Sequence, residues 1–262
     1  MEEIMELGFF QMAAAYIFIV VLLFILKARG IRREKELLIS TLRMTLQLIL
    51  VGYLLAYLFE NNHVLWIILI IIIMQFFAIQ NIMKRVKYPL NTRLKQIIIF
   101  SMVLGTLSSI FYFILVVVQV TPWFDARYFI PIAGMLIGNS MTGVSLGVQR
   151  LVEGMHDQKS HIEMALMLGA TPKMASKKVV DQAFDAAILP TINSMVGMGI
   201  VFLPGMMTGQ ILAGLSPLSA IQYQIAIMLG IVGCVSLTVI LFVQMGYKTF
   251  FSDQAQLHLK LN

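Results

Sequence analysis

Long uninterrupted apolar runs decide what this chain can fold into. A helix needs roughly 20 mostly apolar residues to cross a bilayer core. Stretches of that kind lie near 4–26, 39–59, 64–83, 95–119, 128–151, 184–203 and 221–246, about seven in all. Runs such as W-I-I-L-I-I-I-I-M at 66–74 do not alternate, so the short alternating strands of a membrane β-barrel are excluded. With 59% hydrophobic and only 12% charged residues, little sequence is left for a soluble domain. The expected fold is all-α: a polytopic helical bundle with its 262 residues in one membrane domain.

The charges give that bundle a direction. Glu2, Glu3 and Glu6 stand where a secretory signal would be basic, and no small-residue cleavage site follows, so the first run is read as a retained helix. Lys and Arg concentrate in cytoplasmic loops. Lys27, Arg29, Arg32, Arg33, Lys35 and Arg43 mark one such loop, and Lys84, Arg85, Lys87, Arg93 and Lys95 mark the next. A third carries Arg150, Lys159, Lys173, Lys177 and Lys178, whereas 60–63, 121–127 and 205–217 have almost no positive charge. This pattern predicts an N-terminus outside and a C-terminus inside, in a multi-pass protein of a cell membrane. Topology and acidic headgroups then account for the net charge of +6. No nucleic-acid partner is needed. Cys234, the single cysteine, lies mid-helix and is read as lipid-facing or packed filler.

The third basic loop, about 152–182, contains E-M-A-L-M-L-G-A-T-P at 163–172. Its residues predict a helix ending near Leu168, with Gly169 reaching positive φ without steric cost. Thr171 then serves as N-cap and Pro172 as first residue of a second helix. Lys173 and Lys177 share one face of that helix by their i, i+4 spacing. Taken by itself, the pattern suits either a helix lying on headgroups or a projection that docks on a cytoplasmic partner.

A resemblance separates these two. E-M-A-L-M-L-G at 163–169 looks like the E-A-A-x-x-x-G loop of ABC-importer permeases, whose coupling helix sits in a groove of the ATP-binding subunit. P-I-A-G-M-L-I-G-N-S-M (131–141), L-G-A-T-P-K-M-A-S (168–176), L-P-T-I-N-S (189–194), L-P-G-M-M-T-G-Q-I-L-A-G (203–214) and A-I-Q-Y-Q-I (220–225) resemble the FetB family. Members of that family are ABC permeases associated with bacterial iron export, with plant relatives linked to aluminium tolerance. The likeness runs from about Arg43 to Met228 and is densest after Phe129. It implies that Leu168, Gly169, Ala170, Thr171 and Pro172 couple to an ATPase; Glu163 and Gly169 also carry over by analogy with the importer loop. One departure stands out: the Leu-Pro that follows the importer glycine comes late here, at Leu189-Pro190, already in the membrane. No G-x-x-x-x-G-K-[ST] occurs, so the chain lacks a phosphate cradle of that kind. The resemblance therefore implies a separate ATP-binding subunit that carries ATP and magnesium, no cofactor on this chain, and a homodimer.

Within the bilayer, Gly134, Gly138 and Thr142 share a face of the fifth run near Pro131, while Gly143 and Gly147 lie roughly opposite. Small residues allow close helix approach in lipid, which suits a dimer seam or moving pathway helix and equally suits packing within one subunit. Asn139, Asn193 and Ser194 are polar at membrane depth, where a partner or watery cavity is expected. Pro190 and Pro204 bracket the sixth run and should free carbonyls near Ala186 and Ile200. These residues mark either a gate or helix–helix hydrogen bonding. The segment 205–217 is too short to span and too apolar for an ordinary loop, so it is read as re-entrant or covering the outer mouth.

Metal ligands are harder to find. Nineteen Met residues are best read as flexible packing, since iron and aluminium prefer oxygen or imidazole. Glu60 with His63, and Glu153 with His156, each resemble half of a di-iron site, but the expected topology puts them on opposite membrane sides. His156 and His161 are about 140° apart around a helix. No metal-binding residues are assigned. The leading reading is an ABC permease subunit, not itself an enzyme, that exports iron or another metal and serves metal homeostasis. An ABC permease for a non-metal substrate is an alternative. A secondary transporter or channel would place ionisable residues at the bilayer centre, whereas Arg43, Asp181 and Asp185 lie near the inner ends. A membrane anchor for a cytoplasmic enzyme would leave Asn139 and Asn193 without a task.

Overall fold

Helix starts fall where short polar side chains can satisfy the first free amides. In the computed structural model, which describes residues 8–86 and 90–259, the Asn91 side chain accepts from the Arg93 amide at 3.1 Å. Asp125 accepts from Arg127 at 3.0 Å, and the Ser216 hydroxyl from Ser219 at 3.2 Å, with Pro217 as first helical residue. The expected features at Glu2, Glu3, Glu6 and Lys87 lie outside the described residues.

Eleven α-helices follow among the described residues: α1 (Phe9–Ala15), α2 (Ile17–Ala28), α3 (Glu34–Glu60), α4 (Val64–Arg85), α5 (Thr92–Tyr112), α6 (Ala126–Asp157), α7 (Lys159–Met167), α8 (Pro172–Ala175), α9 (Lys177–Gly197), α10 (Gly205–Leu212) and α11 (Pro217–Gly246). A π-helical turn, Phe113–Val118, extends α5, and a 3₁₀ turn, Tyr247–Phe250, extends α11. Among the described residues, six segments are long and apolar enough to cross a membrane: Phe9–Ala28, Glu34–Glu60, Val64–Arg85, Thr92–Val118, Ala126–Asp157 and Pro217–Phe250. The chain is thus an all-helical, polytopic membrane protein.

The run expected at 184–203 differs. Its helix, α9, starts earlier and stops at Gly197, because Gly199 takes φ +84° and a one-residue bridge joins Met198 to Phe202. Asp181, Asp185 and Asn193 also keep α9 below the apolarity of the other six. Pro204 therefore does not bound this helix. It precedes α10, where its carbonyl accepts both the Thr208 amide at 3.0 Å and the Thr208 hydroxyl at 3.1 Å. Ile200 lies outside any helix, so no helical carbonyl is freed there. The 205–217 segment is mostly helical: α10 ends in a turn with Gly214 at φ +94°, and Leu215 donates back to Gln210.

The helices form two compact units. One is built on α1 to α3, the other on α4 to α11. In the first, the run of apolar residues is divided at Tyr16, whose hydroxyl meets the Thr45 hydroxyl at 2.6 Å. Thr45 already donates to the Thr41 carbonyl at 3.0 Å, which makes Tyr16 the donor.

In the second unit α6 is central, packed by α4, α5, α9 and α11. Leu136, Val144, Val148, Leu151 and Val152 are fully buried along it. Gly143 permits this closeness: a Cβ there would sit 2.8 Å from Val235 Cγ1 and 3.2 Å from the Ala187 carbonyl. Buried polar groups are satisfied largely inside the bundle, as lipid requires. Thr106 donates to the Met102 carbonyl at 2.6 Å and Thr238 to the Cys234 carbonyl at 2.7 Å, while Gln75 donates to Thr106 across α4 and α5. Cys234 is buried and meets the Ser140 hydroxyl at 3.2 Å, so of the two expected placements it takes packed filler.

Candidate functional site

The turn between α7 and α8 is built by its own sequence. α7 ends in a paired motif: the Gly169 amide donates to Leu166 and the Ala170 amide to Ala165, both at 3.0 Å. Closing those two bonds requires Gly169 at φ +88°. Thr171 then turns extended, with φ −70° and ψ 155°, and its hydroxyl accepts from the Met174 amide at 3.4 Å. Pro172 occupies the first helical position, where a missing N–H costs nothing.

Beyond that point the expected single amphipathic helix is instead stepped. Ser176 takes φ −95° and ψ −2°, and its hydroxyl donates to the Pro172 carbonyl at 2.7 Å, separating α8 from α9. Back-bonding of this kind competes with regular helix geometry. Lys173 and Lys177 consequently belong to two helices rather than one face of one.

The knuckle is apolar where it is most exposed. Met167 is 86% and Leu168 84% accessible, with Met164 and Met174 also exposed. Its base is fixed. Ile162 is buried, the Gln158 side chain donates to Gln182 at 3.3 Å, and Val179 packs so tightly on Gly154 that a Cβ there would lie 2.7 Å from Val179 Cγ1. Glu163 points elsewhere, in an exposed pair with Lys159 at 3.7 Å, a contact worth little by itself. The motif 168–172 was readable in sequence; the flanking Met164, Met167 and Met174 were not singled out. Their signal was apolar side chains in a segment otherwise polar enough to lie outside the bilayer.

The two faces of α6 are also distinguished. Gly143 and Gly147 face inward; a Cβ on Gly147 would lie 3.4 Å from Ala187 Cβ. On the other side Pro131 and Asn139 are exposed, Gly134 and Thr142 half-buried, and a Cβ on Gly138 would meet nothing within 4 Å. The Asn139 amide donates to the Met135 carbonyl at 2.8 Å, and the Thr142 hydroxyl to the Gly138 carbonyl at 3.2 Å. On α9, Pro190, Asn193 and Ser194 are exposed. Ser194 donates to the Pro190 carbonyl at 3.0 Å, whereas the Asn193 amide meets no partner among the described residues. Pro190 has no N–H for the Ala186 carbonyl, so one helical acceptor is left open. Among the described residues no group of three or more His, Cys, Asp or Glu converges as a metal site. Glu153 instead accepts from Gln149 at 3.0 Å.

Comparison with known proteins gives a consistent result along the whole chain. A family model described as an uncharacterised protein family, UPF0014, matches residues 9–251. The chain is 34% identical to the UPF0014 membrane protein YjkA of Bacillus subtilis, over 96% of this chain and 98% of that one. It is 33% identical to the probable iron export permease protein FetB of Escherichia coli, over 94% and 93%. Against the protein ALUMINUM SENSITIVE 3 of Arabidopsis thaliana the identity is 35%, over 95% and 90%. No solved structure matches.

Proposed function

This chain belongs to the UPF0014 family, and from that membership we propose that it is the permease subunit of an ABC transporter that exports iron or another metal across a bacterial cell membrane. ATP, with magnesium, is hydrolysed on a separate cytoplasmic subunit. The observation that carries this reading is the α7–α8 knuckle, an ordered projection with Met167 and Leu168 exposed at its tip and both arms leading into packed membrane helices. A docking tip needs exposed apolar surface, and such surface on a soluble loop signals a partner. The positive-inside pattern supports a cytoplasmic knuckle. Motion of the tip would pass through α6 and α9, which bear Asn139 and Asn193.

A second copy of the chain completes the pore. The open side of α6, with Gly138 and Asn139, and the unpartnered Asn193 amide on α9 are costly against lipid and would be covered in a homodimer. The iron assignment draws on the name of the Escherichia coli relative, and the metal class on the Arabidopsis thaliana relative as well. One observation favours a permease for a non-metal substrate: the absence, among the described residues, of a converging His, Cys, Asp or Glu group.

The test is co-purification of a candidate ATP-binding subunit with the intact chain and with the double variant Met167→Asp, Leu168→Asp. The variant should insert normally and lose most of the bound subunit. Undiminished co-purification would remove the knuckle as the docking element.

A further inference from the structure

α5 and α11 pack side by side, and at one membrane edge, where α5 begins and α11 ends, they border an open groove of about 540 Å³. Arg93 and Lys248 both line it, beside Gln96 and Thr249, while Ile97, Phe100 and Met245 form its apolar part. Gln96 and Phe100 also wall a second groove, of about 610 Å³, that continues along α5 past Leu104 to Leu107. From Arg93 to Leu107 is ~21 Å at about 1.5 Å per residue. Half of a typical hydrocarbon core is about 15 Å. The groove therefore runs from a cationic end at the membrane edge to beyond the level that one leaflet's acyl chains reach. Among the described residues neither Arg93 nor Lys248 pairs with a carboxylate.

We propose that this groove binds an anionic phospholipid, with the headgroup phosphate between Arg93 and Lys248 and one acyl chain along Ile97, Phe100 and Leu104. Charge complementarity selects the occupant. Two uncompensated cations at a membrane edge attract a phosphate, and the apolar wall directly beneath them suits the chain covalently joined to it. A soluble anion would use the cations and leave the groove unfilled. A zwitterionic lipid would bring a quaternary ammonium to the same two cations. The inference is independent of what the protein transports and of which membrane face this edge meets.

Native mass spectrometry of the full chain in detergent tests it, with titration by phosphatidylglycerol and by phosphatidylcholine of identical acyl chains. At about 1 kcal/mol per surface cation, the two cations give an expected preference for phosphatidylglycerol of roughly thirtyfold. The double variant Arg93→Gln, Lys248→Gln should bind both lipids alike, and the charge-preserving Arg93→Lys should keep most of the preference. Equal binding of the two lipids by the unmodified chain would overturn the proposal without recourse to any variant. So would an undiminished preference in the folded double variant. Competition by free glycerol phosphate at the same concentration as the lipid would also overturn it, in favour of a soluble-phosphate site.

Discussion

Gly169 is where one side chain should separate folding from coupling most cleanly. Its φ of +88° closes the end of α7, yet a Cβ there would meet no atom within 4 Å. A substitution is therefore penalised through the backbone, by about 1–2 kcal/mol for an L residue forced left-handed, and not through a clash in the core. Gly169→Val should leave insertion and protein level unchanged while reducing transport at least several-fold and leaving ATP turnover running. Gly169→Asn, which tolerates this conformation better, should recover most of the loss. Normal transport by the Val variant at normal protein level would count against a coupling role for the knuckle. Gly143 behaves differently, because its neighbours Val235 and Ala187 are already close enough to exclude a side chain.

Whether a helix boundary could be read from the sequence depended on how local its cause is. Thr171 and Pro172 announced α8 because a hydroxyl accepting from a nearby amide and a ring at the first position are both local devices. Thr171→Ala should cost about 0.5 kcal/mol, the low end for a lost cap, since the hydrogen bond is long at 3.4 Å. Amide hydrogen exchange at Met174–Ser176 should then quicken about twofold, and unchanged protection would show that the cap does not hold α8. The step at Ser176 was not legible. Serine is only mildly unfavourable inside a helix, and what matters here is the bond it makes back to Pro172. The early end of α9 was missed for a related reason: 198–203 is apolar enough to prolong a span, but Gly199 at positive φ turns the chain first.

Taken as one molecule, the protein was legible as a membrane-spanning bundle because bilayer thickness acts directly on the sequence. The sidedness of α6 was not, since both of its faces carry small residues; only the positions of Val235, Ala187 and Phe242 show that Gly143 and Gly147 face inward while Gly138 stays open. If a second copy covers that open side, Gly138→Cys in a Cys234→Ser background should give dimers with a short bifunctional thiol reagent in membranes. Persistent monomer, with Gly138→Cys shown to be reagent-accessible, would place the seam elsewhere. The cationic end of the open groove along α5 left no trace in the sequence either, because it depends on α11 bringing Lys248 beside Arg93. The most direct measurement of the transport proposal is ATP-dependent iron movement in inside-out vesicles holding this chain with its candidate ATPase, against the ATPase alone and against other metals. Iron uptake that requires both subunits is the predicted result, and ATP hydrolysis by the assembled pair with no metal entering the vesicles would contradict metal export.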